Sequence, residues 1–239
     1  ALLLSVAVGS VMIPLPVAAQ LFAARLRGLP DPEELKAYGV ILFSLRLPRT
    51  ALIALAGAAL AGSGAAYQGM FRNPLADPYL IGVASGAGLG AVAAMSVGLS
   101  GVSFLGMLAV PLMAFAGALV TVAVVYQLAK VGKTVPTTNL ILAGVAVSSF
   151  ATALTSYFML VSTGELRRAI VWLLGGVTMS GWQPVLAILP YVGLGLTGLL
   201  SSGHALNVMQ FGEEQAQQLG LPVDRLRRLV IVAASLTTA

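Results

Sequence analysis

Covalent chemistry needs a nucleophile beside a base, a pair of carboxylates, or a cluster of metal ligands. This chain offers almost none of these. It has no cysteine, which removes thiolate nucleophiles and cysteine metal sites. Its one histidine, His204, has no second histidine or acidic cluster near it in sequence. Gly132-Lys133-Thr134 has the end of a phosphate-binding loop, but that loop needs a glycine where Gln127 stands. Gly86-Ala87-Gly88-Leu89-Gly90 misplaces the third glycine of a dinucleotide fingerprint. What remains is non-covalent. Ser148, Thr152, Thr155 and Ser156 fall within an arc of about 100° on a helix. Such hydroxyls either bond back to their own helix or form a mildly polar wall. An uncharged wall suits a bulky solute better than a bare ion, which needs stronger ligands.

The elements that must position these residues are membrane helices. Of 239 residues, 58% are apolar and only 9% are charged. A soluble domain carries roughly 25% charged residues, so the composition argues against a soluble enzyme and excludes a disordered chain. The net charge of +5 comes from bases scattered between apolar runs, which reads as loop and interface charge rather than a nucleic-acid surface.

A span needs about 20 apolar residues. The first candidate covers 1–13 and stops at Pro14 and Pro16. The second covers 49–71, the third 79–98, the fourth 104–129, the fifth 137–161 and the sixth 182–200. A seventh begins at Val230. Asp31-Pro32-Glu33-Glu34 has the form of a helix start, with Leu35, Tyr38, Leu42 and Leu45 at helical spacing behind it. This predicts a short interfacial helix. A second amphipathic piece covers 165–174, with Arg167, Arg168 and Trp172. The one long polar stretch is 201–228. The chain starts and stops inside apolar runs, so a longer parent protein is expected. No ionisable residue lies well inside a span, which counts against an ion-coupled secondary carrier. Gly82, Gly86 and Gly90, and again Gly57, Ala61 and Ala65, form small-residue rows suited to close helix packing. Counting loop charge gives seven bases on one side and six on the other, so orientation stays open.

Several strings together resemble one family. They are Arg46-Leu47-Pro48-Arg49-Thr50, Gly57 to Ala61, Gly64 to Gln68, Asn73 to Pro78, Gly82-Val83 and Ser85-Gly86-Ala87. Leu142 to Ala146, Trp172 with Gly175-Gly176, and Ala216 to Gly220 ahead of Arg225 continue the match. The family is the permease subunit of ABC importers for ferric siderophores, haem and cobalamin, the FecCD type. The resemblance implies an all-α membrane protein of ten spans, of which this chain holds six and the start of a seventh. On that basis 1–239 is a single transmembrane domain, 23–47 an external loop with an interfacial helix, and 201–228 a cytoplasmic coupling segment.

The implied activity is import of an iron chelate, a ferric siderophore or haem, as the family's commoner cargo. Import of cobalamin is the alternative, and an ion-coupled carrier a further one. The chain itself is then no enzyme and binds no metal or cofactor. ATP and magnesium sit on two partner ATPase subunits. The other implied partners are a second permease copy, making a homodimer, an extracytoplasmic solute-binding protein and the lipid bilayer, with no nucleic acid. The implied location is the bacterial cytoplasmic (inner) membrane. By the same resemblance, Arg46 and Arg49 dock the binding protein. Asn73, Leu75, Thr137 and Thr138 match cytoplasmic constrictions. The hydroxyl-bearing fifth span lines the pathway. Glu213, Glu214, Gln215, Ala216, Leu219 and Gly220 match the helices that couple to the ATPase.

Overall fold

A computed structural model describes residues 8–99, 104–132, 135–162, 166–175 and 181–239. Residues 1–7 of the first expected span, Lys133, Thr134, Glu165 and Gly176 lie outside the described residues, as does the side chain of Thr137. Among the described residues every regular element is a helix, joined by turns and short irregular segments. They fall into two compact units, one of residues 1–56 with 177–187, the other of residues 57–176 with 188–239.

In the first unit, Pro14 and Pro16 do not end a helix; they begin one. Helix α1 (Leu15–Leu26) has Pro14 as its N-cap and Pro16 in its first turn. Proline fits there because the first amides of a helix have no intrahelical partner to lose. A 3-10 turn (Glu33–Leu35), α2 (Lys36–Val40), a π turn (Ile41–Arg46) and α3 (Leu47–Phe71) then follow without a break. The interfacial helix and the second span, expected as separate elements, are one helical run, Glu33–Phe71, of 39 residues. Ile13, Ala18, Leu21 and Leu42 form this unit's core. Phe43, on the π turn, is held from three sides. Phe22 meets its ring edge-on at 5.3 Å, the Arg25 guanidinium lies 4.6 Å from its centroid, and Trp182 Nε1 donates to its carbonyl at 3.0 Å.

In the second unit, α3 ends at Phe71. Arg72 turns left-handed (φ 51°) and the Asn73 amide reaches back to the Gln68 carbonyl at 3.2 Å. This closure satisfies carbonyls the helix would otherwise leave open. The segment expected as a third span divides. Asp77 caps a 3-10 turn (Pro78–Ile81) by accepting from the Tyr79 amide at 2.7 Å. Gly82 then adopts φ 85°, a conformation that favours glycine, before α4 (Val83–Ser96) starts. With 14 residues α4 is about 21 Å long, short of the roughly 30 Å hydrocarbon core.

Helices α5 (Phe104–Ala129) and α6 (Thr137–Val161) have the lengths expected of them. Helix α7 (Leu166–Leu173) buries Ala169 beside Val92 and Met95. Helix α8 (Gln183–Ser201) bears Pro190 inside it. Two short helices, α9 (Gly203–Met209) and α10 (Glu213–Gln218), lead to α11 (Val223–Thr238). Helix α11 starts at Val223, ahead of the expected Val230, so Arg225, Arg227 and Arg228 are helical.

The core of this unit is the seam of α4 with α5. A Cβ at Gly86 would stand 2.6 Å from the Gly117 carbonyl oxygen, and one at Gly90 2.8 Å from the Met113 carbonyl carbon. The Gly82 row therefore packs backbone on backbone. Among the described residues the Gly57, Ala61 and Ala65 row meets no such neighbour: all three are exposed, and a Cβ at Gly57 meets nothing within 4 Å. Against α11, α3 places hydroxyls. Ser63 Oγ lies 3.0 Å from Thr237 Oγ1, with Tyr67 and Ser235 fully buried nearby in the sequence of each helix.

Candidate coupling and gate sites

The acidic helix α10 is built as a short, tied peg. Gly212 (φ 123°) turns the chain into it, and Gly220 (φ 84°) turns the chain out. The Leu221 amide returns to the Ala216 carbonyl at 3.0 Å and closes the last turn. Ala216 is fully buried in the core, while Glu213, Glu214 and Gln215 are exposed. At its two ends stand large apolar side chains open to the outside, Phe211 at 73% and Leu219 at 71% exposure. The peg is fixed by its small residue and offers polar and apolar groups outward.

Arg227 was missed by reading the polar stretch as loop. It is 8% exposed, on the face of α11 that buries Val223, Leu226, Val230, Ile231 and Ala234. Its guanidinium donates to Glu213 Oε1 of α10 and lies 3.5 Å from the Tyr126 hydroxyl of α5. Burial by itself lowers the Arg227 pKa, but Tyr126 and the Glu213 carboxylate more than offset it, and the net direction is upward. The charge is therefore permanent at any working pH. The signal that could have found it was the spacing of those apolar neighbours, which continues through residue 227 at helical period.

Around this pair lies a cavity of about 40 Å³ lined by Met70, Phe71, Arg72, Tyr126, Leu140 and Arg227 among others. A second cavity of about 10 Å³ adjoins Asn73, Ala76, Asp77, Leu80, Leu140 and Ile141. Phe71 and Leu140 line both. The turn with Asn73 and Leu75 therefore sits against the first turns of α6. Asn73 Oδ1 accepts from the Leu75 amide at 2.9 Å, making that turn rigid. Leu75 itself is 80% exposed, and Thr138 is exposed too.

The hydroxyl row on α6 is not one face in its surroundings. Thr155 is buried, Ser148 half-buried, and Thr152 and Ser156 exposed. Thr152, Thr155 and Ser156 donate to the carbonyls of Ser148, Ala151 and Thr152, at 2.8, 2.8 and 3.0 Å. Each satisfies its own donor on the helix, which leaves the row's outer edge only weakly polar.

In the first unit the two arginines differ. Arg49, in the first turn of α3, is exposed. Arg46, on the π turn, is half-buried and its guanidinium donates to the Val11 carbonyl.

Four helical runs, Glu33–Phe71, Leu108–Ala129, Thr138–Val161 and Gln183–Ser201, are long and apolar enough to cross a membrane, and they define a multi-pass helical membrane protein. The model of the FecCD transport family matches residues 1–239, and the chain belongs to that family. It is 43% identical over 95% of its length to the cobalamin import system permease protein BtuC of Halobacterium salinarum, covering 59% of that protein. It is 38% identical over 99% of its length to the ABC transporter permease protein YvrB of Bacillus subtilis, covering 67% of it. It is also 38% identical, over 86% of its length, to the vitamin B12 import system permease protein BtuC of Klebsiella pneumoniae, covering 61% of it. The chain thus spans about three fifths to two thirds of these relatives. Among solved structures, a metal-chelate type ABC transporter in an inward-facing conformation matches with a TM-score of 0.70 at 27% identity, over 93% of this chain and 71% of the other.

Proposed function

We propose that the chain is part of the transmembrane permease of an ATP-driven importer, with a corrinoid as cargo. The observation that carries this is the family match over 1–239, joined to the names of the Halobacterium and Klebsiella relatives. Those names move cobalamin ahead of the ferric siderophores and haem, which remain the alternative. The whole permease has ten spans and works as a homodimer in the bacterial cytoplasmic membrane. Two ATPase subunits hold ATP and magnesium on the inner side, and a solute-binding protein docks outside. The cavities around the Arg227 pair and the Asn73 turn, of about 40 and 10 Å³, admit only water-sized molecules, far below the roughly 300 Å³ of a small ligand pocket. A path between two copies accommodates a bulky chelate where neither cavity does.

In this reading α10 seats in the ATPase, with Glu214, Gln215 and Leu219 at the contact, Ala216 and Gly220 shaping the peg, and Glu213 serving the coupling from its inner side through Arg227. Differential binding of the two ATPase states to that helix biases the permease between its forms. Asn73, Leu75, Thr137 and Thr138 form the inner constriction, and α6 borders the path through Ser148, Thr152, Thr155 and Ser156. Arg49 docks the binding protein, with Arg46 supporting it from the π turn.

Two measurements test this. The full-length permease, joined with its ATPase and binding protein in liposomes, is expected to take up cobalamin with ATP present, and little haem or ferric siderophore. Uptake driven by an ion gradient without ATP would overturn the class, and uptake of only an iron chelate would overturn the cargo. Separately, Arg49→Glu is expected to weaken binding-protein affinity by about tenfold at low salt, and by less at high salt, because screening weakens exposed charge pairs. Equal affinities for both forms at low salt would remove Arg49 from the docking surface.

A further inference from the structure

From the Arg227 cluster we infer that Glu213 and Arg227 form a strut that carries movement of α10 to the inner constriction. This rests on the reading of α10 as the ATPase-facing helix. Helix α10 has only six residues, and its one fully buried side chain is Ala216. An alanine gives little grip against a sideways push. The second tie is ionic. The Glu213 carboxylate accepts from Arg227; the Arg227 side chain is 10% exposed and that of Glu213 46%, so the part-buried pair is screened less than one fully at the surface.

Arg227 in turn faces elements on two other sides. The Tyr126 hydroxyl is on α5, and the cavity wall beside it includes Phe71 and Arg72 at the end of α3. Phe71 and Leu140 also line the cavity that adjoins Asn73. A displacement of α10 therefore reaches the Asn73 turn in two steps: through the ion pair to α11, then through the packed core that holds Leu226, Val230 and Ile231 of α11 with Leu140, against which Phe71 lies. Glu214 and Gln215 of α10, and Leu219 just beyond it, are exposed and meet the partner, whereas the Glu213 carboxylate, though partly exposed, is turned to Arg227. Glu213 is thus assigned as a positioning residue rather than an ATPase contact.

The test uses the full-length permease with its ATPase and binding protein in liposomes. Uptake and ATP hydrolysis are read from one preparation, with cobalamin, haem and a ferric siderophore as probes. Glu213→Gln is expected to lower molecules imported per ATP hydrolysed about tenfold, with ATPase assembly and hydrolysis within twofold of the unaltered complex. The swap Glu213→Arg with Arg227→Glu is expected to recover at least a third of the lost ratio. Removing one partner also leaves a buried charge unpaired, which destabilises on its own account. The double variant Glu213→Gln with Arg227→Met separates the two effects: it is expected to regain thermal stability but not the import ratio. A double variant that regains both overturns the strut and leaves a structural pair. An unchanged ratio in Glu213→Gln overturns it as well. An unaltered complex that imports none of the three with ATP overturns the underlying transport reading, and the strut falls with it.

Discussion

Gly90→Leu is expected to leave almost no folded protein in the membrane. The neighbours of Gly90 across the α4–α5 seam are backbone atoms: the Met113 carbonyl, whose carbon would lie 2.8 Å from a new Cβ, and Ala114 Cα at 3.3 Å. Backbone cannot rotate away as a side chain can, so the helices must separate. Separation opens gaps beside Ala87, Ala91, Ala114 and Ala118, all buried. Dispersion contacts are lost steeply with distance, and inside a bilayer no hydrophobic driving force between helices replaces them. A destabilisation above about 4 kcal/mol is expected, the range reserved for core disruption. Gly193→Ala is the matched control, since a Cβ there meets nothing within 4 Å, and a mid-helix alanine gains up to about 1 kcal/mol of propensity. The folded fraction in detergent, read by size-exclusion chromatography, distinguishes them. A Gly90→Leu protein that elutes like the unaltered one would mean the seam is looser than its backbone contacts require.

That seam was legible in the sequence as a row of glycines, but the equivalent row on α3 was not distinguishable from it. Gly57, Ala61 and Ala65 have the same spacing as Gly82, Gly86 and Gly90, yet they are exposed. Spacing tells which residues share a face; it carries no information on what the face meets. The same limit governed the hydroxyl row. The arc on α6 is real, and only neighbouring helices divide it into a buried Thr155 and an exposed Thr152.

Span edges followed composition where apolar runs were long and bounded by polar or glycine-rich breaks. Helices α5 and α6 begin and end where expected. Composition failed where local backbone chemistry intervened. Hydropathy reads 79–98 as one run, but the Asp77 cap and the left-handed Gly82 take the first residues out of α4. The span expected to start at Arg49 is continuous with the helix before it, through Lys36 and Arg46. Arg225 to Arg228 suggested a loop, and α11 absorbs them by burying only Arg227 and giving it Glu213 as a partner.

In the proposed homodimeric importer, linking position 75 of one copy to position 75 of its partner is expected to stop nearly all import. The chain holds no cysteine, so Leu75→Cys gives each copy a single thiol within these residues. The position is well suited to the experiment. Leu75 is 80% exposed, so the substitution leaves no cavity, yet its backbone is held by Asn73 Oδ1 at 2.9 Å and by the Ala76 amide on the Asn73 carbonyl at 3.0 Å. A rigid turn transmits a tether as a fixed separation instead of absorbing it in loop motion. If the two turns must part for each cargo molecule, a short bifunctional maleimide removes the open form altogether, and no change in ATPase affinity can restore it. A linker with an internal disulfide should therefore block import until reductant is added. A one-armed maleimide, equal in bulk at the site, should leave most import intact. Covalent dimers that import at the unlinked rate would take Leu75 out of the constriction, and failure to form any covalent dimer would place it away from the axis between copies.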